Sequence, residues 1–263
     1  MPTLIIISLL WFLFWQQKSQ AAPWFQGTVG NIHTEGDLNG NVPPGNYISA
    51  VDIAVGDSGL VTYNGLVVNI GNGSESDADW DFQESYSGTI NTYNYSYFKS
   101  KIIDQSEFLD NTLSSSNRPG TDGAYFHNGD LTTESPQFAI PANRNLVFLV
   151  DGNLNIDGRL EVNNSSFLAF IVSGDIIISS SLSGSFNKPD IQAVLIADGQ
   201  IQTGNSANRL FMQGVFVSWA GFDLQRTYDG GNAAENFIYT PNFFVNAPTY
   251  LRQSETTWRE IKP

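Results

Sequence analysis

Asp77, Asp79, Asp81 and Glu84 lie within one short stretch, the three aspartates alternating. Carboxylate oxygens at that spacing suit calcium, which takes about six to eight oxygen ligands. An EF-hand loop is not spelled, because Phe82 stands where the turn glycine belongs and Gly88 where the bidentate glutamate belongs. A solvated acidic loop satisfies the same residues. The two histidines, His33 and His127, each stand two or three residues before a glycine of a repeated phrase. If their segments stack, the imidazoles meet beside Glu35 and Asp130 as a metal or acid–base pair, although no third ligand is evident. Trp80, Tyr93, Tyr95 and Tyr97 offer flat rings with polar edges, the kind of surface that packs on sugars. Their alternation is equally a packing signal. Asp37, Asp130, Asp151, Asp157, Asp175 and Asp198 all sit beside glycines or in turns, where Asp bonds its own backbone. Stacking is expected to bring Asp130, Asp151, Asp175 and Asp198 near one edge, where like charges repel unless a cation intervenes. Calcium is therefore the one cofactor to look for. Nucleophile elbows, phosphate loops and zinc helices are not spelled, and no catalytic residue is assigned.

The elements that position these residues are repeats. Gly129, Gly152, Gly174, Gly199 and Gly221 recur at intervals of 22 to 25 residues within phrases such as Val150-Asp151-Gly152-Asn153-Leu154 and Val172-Ser173-Gly174-Asp175-Ile176. A fixed period in this range is the mark of a solenoid. Apolar runs at Leu146–Val150, Phe167–Val172, Ile191–Ala197 and Leu210–Trp219 show little polar alternation, as strands buried in parallel sheets do. The expected fold is mainly all-β: a parallel β-solenoid (β-helix) with coils of about 22–25 residues, three short strands to a coil. Val150, Val172 and Ala197 should then stand in register.

Residues 24–45 repeat the phrase as Gly36-Asp37-Leu38, so the stretch 46–122 is expected to be an α+β insertion. Coil 24–45 should pair with the coil around Gly129, bringing His33 to His127. Within the insertion, Ser96 can cap one helix from Tyr97 to Leu113, with Phe98, Ile102, Leu109 and Leu113 as its apolar stripe. Residues 229–263 break the period with Pro241 and Pro248 and carry many aromatics, an expected cap on the end of the stack. Phe244 and Trp258 should pack against the solenoid. Residues 22–263 thus read as a single solenoid domain.

Twelve basic against 26 acidic residues give a net charge of −14, the wrong sign for nucleic acid or an anionic membrane surface. Cysteine is absent, which excludes disulfides and thiolate chemistry. Leu4 to Trp15 is an apolar run too short to span a bilayer, followed by Ser19 and Ala21 at a small-x-small cleavage site. Residues 1–21 therefore read as a signal peptide or an N-terminal anchor, and the protein as exported, secreted or held at the cell surface.

The phrases Pro23-Trp24-Phe25-Gln26, Ala234-Glu235-Asn236-Phe237-Ile238-Tyr239-Thr240-Pro241 and Thr257-Trp258-Arg259-Glu260 flank the coil repeat. In these the chain resembles uncharacterised exported β-solenoid proteins of uncultivated small-genome bacteria, and more broadly right-handed parallel β-helices. The resemblance implies a surface or secreted solenoid and brings no activity. The leading expectation is a structural or adhesive protein whose partner is a polysaccharide or another cell-surface component. The rival is a carbohydrate-active β-helix, a polysaccharide lyase or hydrolase, or a sugar-binding module, with Arg144, Arg159, Arg209 and Arg226 available to an anionic sugar.

Overall fold

The computed structural model describes residues 22–28, 32–41, 47–51, 60–68, 81–84, 93–228 and 233–251. Every pairing between its strands is parallel, and they form two sheets. The narrow, eight-stranded sheet runs Val67–Val68, Asp37–Gly40, Gly221–Leu224, Gln200–Gln202, Ile176–Ile178, Leu154–Ile156, Leu131–Thr133, Thr112–Leu113. The main path of the wide sheet runs Tyr47–Val51, Ala22–Thr28, Glu235–Ile238, Leu210–Ser218, Ile191–Ala197, Phe167–Val172, Asn145–Asp151, Gly123–Asn128, Gln105–Glu107. Side strands Gln137–Ile140 and Arg159–Val162 join it through Leu160, opposite Ile191. Val150 pairs with Val172, and Val172 with Ala197, so the parallel β-solenoid expected from the repeat is the fold.

Burial follows from this layering. Leu154-Asn155-Ile156 turns its two apolar side chains inward and Asn155 outward, the period-two pattern of a strand covered on one face. Phe167–Val172 is buried at all six positions. One of its faces lines the core, where Tyr125, Phe148 and Phe170 stack at 5.7 and 5.3 Å. Its other face is covered by helix α1 (Tyr95–Lys101) and by helix α2 (Asn242–Asn246), whose Phe243 meets Phe167 at 6.1 Å. Burying one such ring contributes roughly 2 to 3 kcal/mol.

The coil order differs from the expected one. Asp37–Gly40 pairs with Gly221–Leu224, not with the coil of Gly129. The N-terminal coils therefore extend the far end of the stack, and the chain returns past α1 to begin again at Gln105–Glu107, the opposite end. Of the stretch expected to be an insertion, Tyr47–Val51, Leu60–Tyr63, Val67–Val68, Gln105–Glu107 and Thr112–Leu113 all pair into the stack.

Helix α1 is also shorter than the apolar stripe suggests. Asn94 caps it by accepting a hydrogen bond from Tyr97 N at 2.9 Å, and it ends at Ile102. Gln105–Glu107 and Thr112–Leu113 pair as strands with the next coil instead, and Leu109, between them, is 78% exposed. Tertiary pairing outweighs helical spacing here because propensity is a weak prior. The C-terminal segment, expected to cap the end of the stack, instead contributes Glu235–Ile238 between two strands of the wide sheet. Of its aromatics Phe243 is buried and Phe244 is 57% exposed; Trp258 lies outside the described residues.

Candidate functional site

Four of the five repeat glycines, Gly129 excepted, stand where one coil touches the next. A Cβ on Gly199 would meet Asp175 Oδ1, and one on Gly174 would meet Asn153 Oδ1. Those same side chains form a ladder. Asp130 Oδ1 accepts from Asn153 N at 2.7 Å, Asn153 Oδ1 from Asp175 N at 2.8 Å, and Asp175 Oδ1 from Gln200 N at 2.7 Å. Asn153 separates the two carboxylates, so the column avoids adjacent like charges. Gly221 is one residue out of phase with the other repeat glycines: Gln200 pairs with Gly221, and a Cβ on Gly36 would strike the Ala220 carbonyl.

The four aspartates expected on one edge fall into two columns. Asp130 and Asp175 belong to the ladder just described. Asp151 and Asp198 fasten α1 to the stack. Lys99 Nζ donates to Asp151 Oδ2 at 2.8 Å and sits 4.4 Å from the Phe126 ring centre, and Tyr95 N donates to Asp198 Oδ1 at 2.8 Å. The hydrogen bond from Lys99 holds the Asp151 carboxyl below its ordinary range, while burial raises Asp198. Because Lys99 and Asp151 are both 40% exposed, solvent screens much of the pair. Lys99→Met should cost about 1 kcal/mol or less, and that cost should shrink further in molar salt. Urea denaturation at two salt concentrations checks this; an equal cost at both would mean that packing on Phe126 matters and charge does not.

The remaining sequence candidates do not converge. His33 lies on Ile32–Thr34, which pairs with Leu210–Ser218, whereas His127 lies on Gly123–Asn128, four strands beyond Leu210–Ser218. At about 4.8 Å per parallel strand the two cannot form a pair. His127 is buried, its Nδ1 and Nε2 lying 2.8 and 3.1 Å from the carbonyl oxygens of Phe108 and Asp130. Asp81 and Glu84 lie on a strand paired with Leu60–Tyr63, while Asp77, Asp79 and Trp80 lie outside the described residues. Tyr93, Tyr95 and Tyr97 form no common platform. Tyr95 is buried under α1, and Tyr97 meets Tyr93 edge-on at 5.1 Å on the outer side. Among the described residues no three His, Asp or Glu side chains gather as a cation site. Of the four arginines, Arg226 is wholly buried and donates to the carbonyls of Thr203, Leu182 and Ser179, which removes it from any ligand.

What the stack does display is the outer face of the narrow sheet. The register places Thr112, Thr132, Asn155, Ile177, Gln202, Asp223, Asn39 and Val68 in one column, one side chain per coil. Of these, Ile177 is 37% and Val68 40% exposed. In most coils the displayed residue stands three places after the repeat glycine, a regularity readable in the sequence but without meaning until the strands are known to be two to four residues long and open to solvent.

Fold and face together define a class, a parallel β-solenoid that presents an ordered column of side chains. Two solved structures are similar in outline. One is the Shewanella frigidimarina ice-binding protein_1 DUF3494 domain, at 9% identity and a TM-score of 0.42, covering 85% of this chain and 96% of that chain. The other is an ice-binding protein from the Antarctic ascomycete Antarctomyces psychrotrophicus, at 12% identity and a TM-score of 0.29, covering 80% of this chain and 96% of that one. No family model and no curated protein matches the sequence.

Proposed function

We propose that the protein is an exported, non-catalytic solenoid of structural or adhesive role, docking through the narrow sheet onto a solid, repeating surface outside the cell. The observation that carries this is the in-register column from Thr132 to Asn39, repeated at the spacing of the coils. A rigid array suits such a surface because little side-chain or backbone freedom is lost on binding. Export rests on the apolar run Leu4 to Trp15. The polymer expected is an uncharged polysaccharide or another cell-surface component, since Asp130, Asp175 and Asp223 make the face acidic. The enzymatic rival is weaker. Glycoside cleavage needs two carboxyl groups facing each other across the substrate, whereas Asp130, Asp151, Asp175 and Asp198 are taken up by the ladder and by α1.

A second reading keeps the face and changes the surface to ice. Thr132, Asn155, Ile177 and Gln202 set methyl-bearing and hydrogen-bonding groups one coil apart, a pattern suited to ordering water along the column. Retention of the full chain on cellulose, chitin and ice separates the two surfaces. The paired change Asn155→Lys and Ile177→Lys should reduce retention at least tenfold while the Tm stays within about 2 °C, as expected for solvent-facing sites. Retention by the variant equal to that of the parent would overturn the assignment of this face. Release of reducing ends would restore the enzyme.

A further inference from the structure

Between α1 and α2, over the outer face of the wide sheet, lies a cavity of about 380 Å³, on the other sheet from the docking column. We propose that it binds the hydrocarbon chain of a small uncharged amphiphile, with the polar end left at the mouth. All eleven lining residues are alanine, valine, leucine, isoleucine or phenylalanine, so no lining side chain offers a charge or a hydrogen bond. Hydrocarbon is the chemistry that such a lining complements, whereas a hydroxyl, an amide or an indole N–H brought inside would lack a side-chain partner. A second cavity, of about 630 Å³, lies beside edge strand Gln105–Glu107; its lining mixes Lys101, Asp104, Asp122 and Tyr125 and selects no one chemistry.

The floor of the apolar cavity supplies an independent observation. In Ile191–Ala197 every second residue is partly exposed, at Gln192, Val194 and Ile196. A strand with one face open to water places polar residues on that face. Gln192 does so and donates to Gln213 Oε1 at 2.8 Å, whereas Val194 and Ile196 are apolar. Val215, opposite Val194, is also apolar and partly exposed, and Phe244 at the rim is 57% exposed. Apolar surface left wet around a hollow marks a binding site for something apolar.

Small residues make the room. Ala169 occupies the row Ala169–Val194–Val215, and Ala247 stands just past α2. A cavity of about 150 Å³ with a lining of this kind holds benzene, so the larger one has room for a chain of about a dozen carbons. Because Val194, Ile196 and Phe244 remain in reach of water, a polar end at the mouth keeps its hydration.

Calorimetric titration of the full chain with hexanol, octanol, decanol and dodecanol tests this. Binding of one alkanol per chain is expected, each added CH₂ tightening it by up to about fourfold. The same length of chain with a hydroxyl at both ends, 1,10-decanediol, has to bury one of them and should bind at least tenfold more weakly than decanol. Ala247→Leu fills part of the cavity at a backbone of φ −55° and ψ 133°, which any residue adopts, and should weaken decanol binding about tenfold without lowering the Tm. Val194→Thr, which keeps the shape and adds a hydroxyl at a partly exposed site, should weaken it about threefold. No saturable binding at the solubility limit of the alkanols, affinity indifferent to chain length, decanediol binding as well as decanol, or parent-like binding by both variants would each overturn the proposal. Decanol binding by Trp258→Ala with none by the parent would give the cavity to the chain's own C-terminal segment and overturn it equally.

Discussion

Gly152→Ala should melt about 5 °C or more below the parent, while Gly120→Ala should melt unchanged. A Cβ at Gly152 would lie 2.5 Å from the carbonyl carbon and oxygen of Gly129 and 2.8 Å from Asp130 N, all backbone atoms of the neighbouring coil. Backbone locked in parallel pairing on both sides has no rotamer to change, so the coils must separate locally. Forcing an extra carbon into packed structure costs about 1–3 kcal/mol, which for a domain of this size moves the Tm by about 2–4 °C per kcal/mol. At Gly120 nothing lies within 4 Å of the same added carbon. Thermal melts of the two variants side by side decide the matter. Equal Tm values would mean that the glycines recur for turn conformation and not for coil contact.

Raising the pH from 5 to 8 should weaken the fold, and Glu235→Gln should remove most of that loss. Glu235 is fully buried, with Oε1 accepting from Arg226 N at 2.8 Å and from Thr203 Oγ1 at 3.0 Å, and Oε2 unpartnered. Burial pushes its carboxyl from the ordinary 4.5 up to about 8, and burial raises Asp190 as well. The folded state thus binds protons that the unfolded chain releases. Their contribution is fully present below the unfolded pKa and is lost as pH rises toward 8. At about 1.4 kcal/mol per unit, Glu235 alone accounts for a loss on the order of 4 kcal/mol over that window. Glutamine keeps the shape and an acceptor for Arg226 N and cannot ionise. Above pH 5 ordinary exposed carboxylates are already ionised and add little slope. Chemical denaturation at pH 5, 6.5 and 8 measures the effect; parallel slopes for parent and Glu235→Gln would place the ionisation elsewhere.

The cavity beside edge strand Gln105–Glu107 lay beyond sequence reading altogether, since it joins residues 101–106, 121–125 and Tyr250 across three separate segments. The docking column was half legible: the repeat spacing marks Thr132, Asn155, Ile177 and Gln202 as equivalent, while nothing in residue type says which equivalent positions face solvent. The aspartates show the converse. Their types announced a turn role correctly, yet whether Asp151 would join Asp175 or bind Lys99 depended on where α1 came to rest.

By itself the sequence determined the coil. Glycines at intervals of 22 to 25 residues leave room for backbone to touch backbone, and apolar runs between them must be buried, which together select parallel stacking and set Val150, Val172 and Ala197 in register. Only the tertiary structure decided the order in which coils stack. Every coil offers the same row of amide donors and carbonyl acceptors, so local pattern cannot name its neighbour. Asp37–Gly40 lies on Gly221–Leu224, where Gly36 admits the Ala220 carbonyl that any Cβ would strike, and Gln105–Glu107 takes the opposite edge on Gly123–Asn128. The same holds for Glu235 and Arg226, two charged types that a sequence places on the surface, and that burial among carbonyls and amides makes part of the core.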